Sequence, residues 1–373
     1  MNQNQFNGKL ALQQRVLPAY RATFFDLLAE AFTGGLSVFA GQPQSDENIS
    51  TAQELRVAQL VLTKNKHFFR VQSPFYRCYQ SGIIRWLERW QPDALIVEAN
   101  PRYLSTPSAI RWMHARSKPV LGWGLGAPQV IGRLASWRLR AREKFLHSLD
   151  GIIAYSQRGA EEYRQAGIPV ERVFVAPNAS APRPQYPLPE RPREFAGKPR
   201  LLFVGRLQER KRIDILLQAC SALPQGLQPE LRIIGDGPAR AGFEHLAQEI
   251  YPAAQFNGAH YGAELKADFI WADLFVLPGT GGLAVQQAMA FGLPVIVAEG
   301  DGTQGDLVRS ENGWQVPDND VDALRAALIE AISDAPRLRR MGAESYRLVV
   351  AEINLERMVG EFVNALNSLV RLR

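Results

Sequence analysis

Residues 274–297 read LFVLPGTGGLAVQQAMAFGLPVIV. A short apolar run ends at Leu277, and Pro278 closes it. Gly279-Thr280-Gly281-Gly282 follow, then a helix-compatible stretch to Phe291-Gly292, then a second apolar run. Two runs of this length with a helix between them predict a βαβ unit, hence a parallel sheet covered by helices. Three glycines in four residues let backbone approach a ligand closely. The helix start behind them offers unpaired N–H groups and partial positive charge, which suits phosphate. A ligand-free glycine-rich turn is the other reading of the same residues.

The pattern repeats outward in both directions. Strand-like runs are expected at 10–16, 36–40, 94–98, 120–123, 151–155 and 173–176, with helices between most of them, for example at 79–90 and 156–166. In the second half strands are expected at 200–204, 231–234, 274–277 and 295–297, and helices near 213–220, 239–248, 263–272 and 283–291. This alternation predicts an α/β fold of doubly wound parallel sheets. Residues 181–200 read APRPQYPLPERPREFAGKPR, whose six prolines predict an extended connector. The organisation expected is therefore an amino-terminal domain at 1–180, a Pro-rich linker at 181–199, a second domain at 200–352 and a helix at 353–373. That helix has an apolar stripe of Val359, Phe362, Val363, Leu366 and Leu369. Two such domains would leave a cleft, and ligands of these sheets bind beyond the carboxyl ends of the strands.

Composition excludes other classes. With 46% hydrophobic and 21% charged residues over 373 positions, the chain is neither disordered nor fibrous. Cys78 and Cys220 cannot make a disulfide framework or a four-ligand zinc site, so a cytoplasmic setting is expected. The start MNQNQFNGKL lacks the apolar core of a secretory leader, and no apolar run is long enough to span a bilayer. A net charge of +6 favours anionic partners.

Two more segments could touch phosphate. In 201–219, LLFVGRLQERKRIDILLQA, Gly205 ends a strand, Arg206 follows and Lys211 precedes a helix. An Arg fork and a Lys point charge there could hold a diphosphate, or both could be solvated turn charges. In 231–242, LRIIGDGPARAG, Gly235 and Gly237 open a strand-to-helix turn that only partly fits a dinucleotide fingerprint. Asp318-Asn319-Asp320 spells a metal-binding triplet, but Asp320 stands where a helix N-cap is needed, so no metal is expected. The five histidines lack metal-ligand spacing. His260 reads as a solvated loop residue. Residues 131–149 form a basic amphipathic helix (Leu134, Trp137, Ala141, Phe145 and Leu149 beside Arg133, Arg140 and Lys144) that could lie on an anionic membrane or pack on its own sheet. No interleaved basic–aromatic recognition motif is present, so nucleic acid is not expected.

Gly205-Arg206-Leu207 with Lys211, then Gly235-Asp236-Gly237-Pro238, then Gln287-Ala288-Met289-Ala290-Phe291-Gly292-Leu293-Pro294, resemble in order and spacing the carboxyl half of retaining glycosyltransferases of family 4, glycosyl transferases group 1, with fold GT-B. Ser156, Gly167-Ile168 and Val175-Ala176-Pro177-Asn178 are similar to the end of that family's first domain, and Leu17-Pro18-Ala19-Tyr20-Arg21 to its acceptor-side loop. The resemblance implies two Rossmann-like domains facing a cleft, a UDP- or GDP-linked sugar donor in the second domain, and a glycan or lipid-linked acceptor in the first. It implies retention of configuration, a role in polysaccharide or cell-envelope glycan synthesis, and no separate cofactor. Arg206 and Lys211 match the catalytic positions that hold the donor diphosphate. Gly279, Thr280, Gly281, Gly282 and Leu283 match the loop lining sugar and phosphate, and Gln287 matches the ribose contact. Arg21 and Arg102 are expected on the acceptor side. The family's two glutamates are Gly279 and Gln287 here, and Leu125 stands near its histidine position. These departures keep open a non-catalytic GT-B nucleotide-sugar-binding or partner protein. A sugar-nucleotide epimerase of related fold is a further alternative.

Overall fold

The structure is a computed structural model and describes residues 5–47, 49–130, 132, 135–300 and 303–371. The chain divides into two compact units, residues 1–180 with 355–373 and residues 181–354. The first contains β1 (Leu10–Val16), β2 (Leu36–Gly41), β3 (Gln59–Leu62), β4 (Asn65–Phe68), β5 (Arg77–Gln80), β6 (Ala94–Glu98), β7 (Val120–Gly124), β8 (Gly151–Ala154) and β9 (Val173–Val175). Seven strands form one parallel sheet in the order β3-β2-β1-β6-β7-β8-β9. β4 and β5 make a separate antiparallel hairpin. Helices α1 (Ala22–Glu30), α2 (Ile83–Trp90), α3 (Thr106–His114), α4 (Ala135–Leu146) and α5 (Gln157–Gln165) connect the strands.

The second unit is a six-stranded parallel sheet. Its strands are β10 (Arg200–Val204), β11 (Glu230–Ile234), β12 (Ala254–Gly258), β13 (Leu274–Leu277), β14 (Val295–Ala298) and β15 (Gly313–Val316), ordered β12-β11-β10-β13-β14-β15. Its helices are α6 (Ile213–Ser221), α7 (Arg240–Ile250), α8 (Gly262–Trp271), α9 (Leu283–Ala290), α10 (Gln304–Leu307), α11 (Val321–Ile332) and α12 (Ala335–Ala351). The final helix, α13 (Leu355–Arg371), belongs to the first unit. The α/β architecture of two Rossmann-like parallel sheets is the one expected. In each sheet the strand order reverses beside the first strand, between β1 and β6 and between β10 and β13. Those two switch points are where a doubly wound sheet opens a ligand crevice.

Central strands are apolar because helices cover both faces. Leu10 and Leu12 on β1, and Leu201 to Phe203 on β10, are fully buried. One face of the first sheet carries an aromatic cluster in which Phe362 of α13 lies 5.1 Å from both Phe24 and Trp123. The apolar stripe expected near the chain end is thus core: Phe362, Val363, Leu366 and Leu369 are buried with Phe24 and Leu121.

The Pro-rich segment is not a bare spacer. It has no regular structure, yet its Arg191 donates to the carbonyls of Phe269 at 2.9 Å, Ala272 at 3.0 Å and Phe291 at 2.8 Å, and so ties the segment to α8 and α9. Losing its hydration by burial, and lying near Arg339, this guanidinium is pushed down to about 10.

Candidate functional site

At the second switch point two loops interlock. The loop after β10 ends in a short 3-10 turn, Glu209–Lys211, and the loop after β13 is Pro278 to Gly282. Thr280 N–H donates to Arg210 O at 3.1 Å, and Arg210 Nη1 donates to Thr280 Oγ1 at 3.1 Å. Lys211 Nζ donates to Thr280 O at 2.6 Å. The glycines have steric causes. A Cβ on Gly279 would run into the Arg210 carbonyl and the Lys211 backbone. Gly281 has φ +137°, and a Cβ there would land on Lys211 Nζ. Gly205 lies alongside, since a Cβ on it would sit 3.8 Å from Lys211 Cε.

The electrostatics follow from this packing. Burial pushes the Lys211 ammonium down to about 8, and the neighbouring Arg210 adds to the fall. Among the described residues no carboxylate offsets that cost. Gly282 is the N-cap of α9 and brings no side-chain cap, so the amides of Leu283, Ala284 and Val285 have no partner carbonyl within the helix. A poorly hydrated cation next to a helix start is a setting for an anion. It brings together Gly205, Lys211, Gly279, Thr280, Gly281, Gly282 and Leu283.

The other expected residues stand differently. Arg206 is exposed on the same loop. Gln287 is exposed one turn beyond Leu283, on the same face of α9, whereas its neighbour Gln286 is buried and donates to Ile353 O at 2.7 Å. Gly235 and Gly237 have a structural role: Cβ atoms there would collide with the carbonyl oxygens of Gly205 and Leu207, so the β11 loop braces the β10 loop. Two residues escaped the sequence. Arg210 was hidden within the ERKR run. Gln304, at the start of α10, is buried and donates to Gly281 O at 3.3 Å, while its Oε1 is buried without a hydrogen-bond partner among the described residues. No pattern in a single sequence marks Gln304.

In the first unit Arg21, expected on the acceptor side, lies inside the fold. It is buried, donates to Asn178 Oδ1 and to Ala179 O at 3.4 Å, and lies 5.3 Å from the ring centres of Tyr20 and Trp123. Arg102 is half-buried, donates to Asn100 Oδ1 at 3.3 Å and stacks at 5.6 Å from Tyr76. The first switch point holds an ionic cluster that sequence reading missed. Arg15 forms a two-point ion pair with Glu47 at 2.8 and 2.6 Å, and its N–H donates to Glu98. Burial pushes the Glu98 carboxyl up, against the Arg15 N–H and Tyr103 hydroxyl that lower it. Leu125 is exposed.

Asp320 caps α11 by accepting from Ala323 N–H at 2.8 Å, as expected. Among the described residues no His, Cys, Asp and Glu cluster has metal-site geometry. His260 is not a solvated loop residue: its Nδ1 lies 2.6 Å from Oδ2 of the buried Asp268. No helix among the described residues is long and apolar enough to cross a membrane.

Residues 187–348 match the family model of glycosyl transferases group 1. Over 196 residues the chain is 31% identical to the putative colanic acid biosynthesis glycosyltransferase WcaL of Escherichia coli K12, spanning 48% of this chain and 47% of that protein. Over 159 residues it is 36% identical to a GDP-mannose-dependent alpha-mannosyltransferase of Mycolicibacterium smegmatis, spanning 42% and 40%. The chain thus spans less than half the length of these curated relatives. In fold it resembles a sucrose-phosphate synthase from Thermosynechococcus elongatus, with TM-score 0.70, 19% identity and coverage of 98% and 100%. It also resembles Anabaena Alr3699/HepE, solved in complex with UDP, with TM-score 0.69, 15% identity and coverage of 96% and 99%.

Proposed function

We propose that the protein is a metal-independent, retaining glycosyltransferase of family 4 that takes a sugar from a UDP- or GDP-linked donor and places it on a glycan or lipid-linked acceptor in cell-envelope or exopolysaccharide synthesis. The observation that carries this reading is the Lys211 ammonium, short of hydration and 2.6 Å from Thr280 O, beside the open amides of α9 at the switch point of the second sheet. The match of residues 187–348 to glycosyl transferases group 1 covers that site, and the curated relatives named above are glycosyltransferases.

The chemistry asked of the site is charge stabilisation. Breaking the bond between the anomeric carbon and the diphosphate leaves negative charge on the leaving oxygens. Lys211, the first-turn amides of α9 and the exposed Arg206 would receive it, and groups fixed beforehand need not reorganise as the charge develops. Lys211 would exchange its bond to Thr280 O for one to phosphate, which restores a full counter-charge. Gln287, one turn along the same face, would hydrogen-bond the ribose. Arg102 would contact the acceptor.

The test is a thermal-shift panel of UDP, GDP, ADP and their sugars, followed by donor hydrolysis and transfer assays with EDTA present. A nucleoside diphosphate at about 100 times its Kd stabilises the folded protein by about 2.7 kcal/mol, a readable shift. Turnover that persists in EDTA and collapses in Lys211→Ala supports the reading. Full wild-type activity in both Lys211→Ala and Arg206→Ala would refute the site. Nucleotide binding without transfer to any acceptor would leave a nucleotide-sugar-binding protein, the alternative that the departures at Gly279, Gln287 and Leu125 keep open.

A further inference from the structure

One stretch of the sequence carries an excess of cations. Residues 55–87 contain Arg56, Lys64, Lys66, Arg70, Arg77 and Arg85 and neither Asp nor Glu. Their charge of +6 equals that of the whole chain, so the other 340 residues are neutral overall. The hairpin β4–β5 lies at the middle of this stretch. Its pairing sets Lys66 opposite Tyr79 and Phe68 opposite Arg77 on the exposed face, while His67 and Cys78 point inward.

The hairpin tip is apolar. Phe68, Phe69 and Phe75 are 47%, 66% and 57% exposed, and the rings of Phe69 and Phe75 are 6.3 Å apart. The tip is also held in place. Phe69 has φ +65°, a region aromatic residues seldom adopt. The Gln44 amide secures it, donating to Phe69 O at 2.9 Å and accepting from Val71 N–H at 3.2 Å. Gln44 N–H in turn donates to Glu47 at 2.7 Å, the partner of Arg15, so the display of rings is anchored in a part-buried ion pair.

A second exposed element lies in the same unit, on the carboxyl side of the same sheet. The strands of the first sheet are parallel, so the segments leaving the carboxyl ends of β3 and β7 start from one side. The β3 exit leads to the hairpin. The β7 exit leads to α4, where residues 136–141 are all exposed, including Trp137, Leu139, Arg138 and Arg140. Its last turn packs inward through Phe145 and Leu146. The amphipathic helix expected at 131–149 therefore packs at one end and is uncovered at the other; Ile131, Arg133 and Leu134 lie outside the described residues.

Lys64, Lys66 and Arg70 are exposed around the rings, and such a cationic collar repels basic proteins and attracts an anionic surface. Aromatic tips with basic flanks suit the boundary between headgroups and acyl chains. We propose that the β4–β5 hairpin, assisted by the first turns of α4, docks the protein on an anionic phospholipid bilayer. This does not depend on the nucleotide site, which is in the other unit.

Flotation of the full chain with phosphatidylcholine vesicles, with and without roughly 30% phosphatidylglycerol, tests the proposal. Binding is expected only with the anionic lipid. Lys66→Ser with Arg70→Ser should weaken it about 25-fold, about fivefold for each surface cation. Phe69→Ser with Phe75→Ser should abolish it, while circular dichroism and the nucleotide-induced thermal shift stay unchanged. Phe69→Trp in an otherwise native chain should shift its emission to the blue on anionic vesicles and be quenched by brominated lipid. No flotation, flotation indifferent to the phenylalanines, or an unshifted Trp signal would each overturn the proposal. So would tip-dependent capture of an oligonucleotide by a protein that ignores vesicles.

Discussion

Between pH 7 and pH 9 the affinity for a nucleoside diphosphate is expected to fall about tenfold, and Lys211 is the cause. Burial beside Arg210 places this ammonium near 8, below its ordinary 10.5. A diphosphate in contact would restore the charged form, so binding takes up a proton. At pH 7 about nine-tenths of the free protein already carries that proton; at pH 9 about one-tenth does, and the remainder must acquire it to bind, which is the tenfold loss. The free protein moves oppositely. Its depressed lysine makes the unfolded chain the better proton binder between about 8 and 10.5, so stability rises with pH in that window as affinity falls. Isothermal titration of UDP or GDP in buffers of different ionisation enthalpy reads both the affinity and the proton uptake. Lys211→Arg, whose guanidinium stays charged, is the control, since it retains any pH dependence from the nucleotide itself. Equal slopes in wild type and Lys211→Arg, or no proton uptake near pH 8.5, would refute the placement of the diphosphate on Lys211.

Gly279→Ala should destabilise the second unit by about 1–3 kcal/mol in urea titration and remove the nucleotide-induced thermal shift, because its Cβ meets backbone at Arg210 and Lys211 rather than a movable side chain. Asp320→Ala should cost about 1 kcal/mol through loss of the α11 cap, while activity in EDTA and in magnesium stays at the wild-type level; a selective loss of metal response would overturn the cap assignment. Glu47→Gln should cost about 1–3 kcal/mol by leaving the part-buried Arg15 without its carboxylate. Burial alone would raise the Glu47 carboxyl, but the Arg15 guanidinium and the Gln44 N–H outweigh it and hold it below 4.5. Its stabilisation is therefore complete above that pH and drains away as acid is added; Glu47→Gln should flatten this acid limb in pH-dependent unfolding.

What could be seen in the sequence divides along physical lines. Central parallel strands such as β10 and β13 are buried on both faces and read as unbroken apolar runs. Edge strands β12 (AQFNG) and β15 (GWQV) are only partly buried and mix polar with apolar residues, so they gave no such run. The hairpin strands NKHF and RCYQ are short and charged, and were missed for the same reason. Lys211 and the glycine loop stand out because a cation and clustered glycines sit at strand exits, a pattern that an ordinary solvated turn shares. The burial of Arg21 was not legible, because nothing in Tyr20-Arg21-Ala22 reveals that Asn178, distant in sequence, takes its guanidinium inward. Gln304 was invisible because an amide's value here comes only from the carbonyl of Gly281 that it meets.

The packing of α13 against Phe24 and Trp123 has a consequence for how the molecule is made. A ribosome releases residues 1–180 long before Phe362 exists, so the aromatic cluster of the first unit stays unfinished through the synthesis of the whole intervening unit. Residues 181–354 can complete their own sheet while the earlier-born part waits with Phe24 and Trp123 uncovered. The first unit therefore closes its core only when the chain end is released, and a chain stalled before residue 355 would leave its older half open to chaperones and proteases.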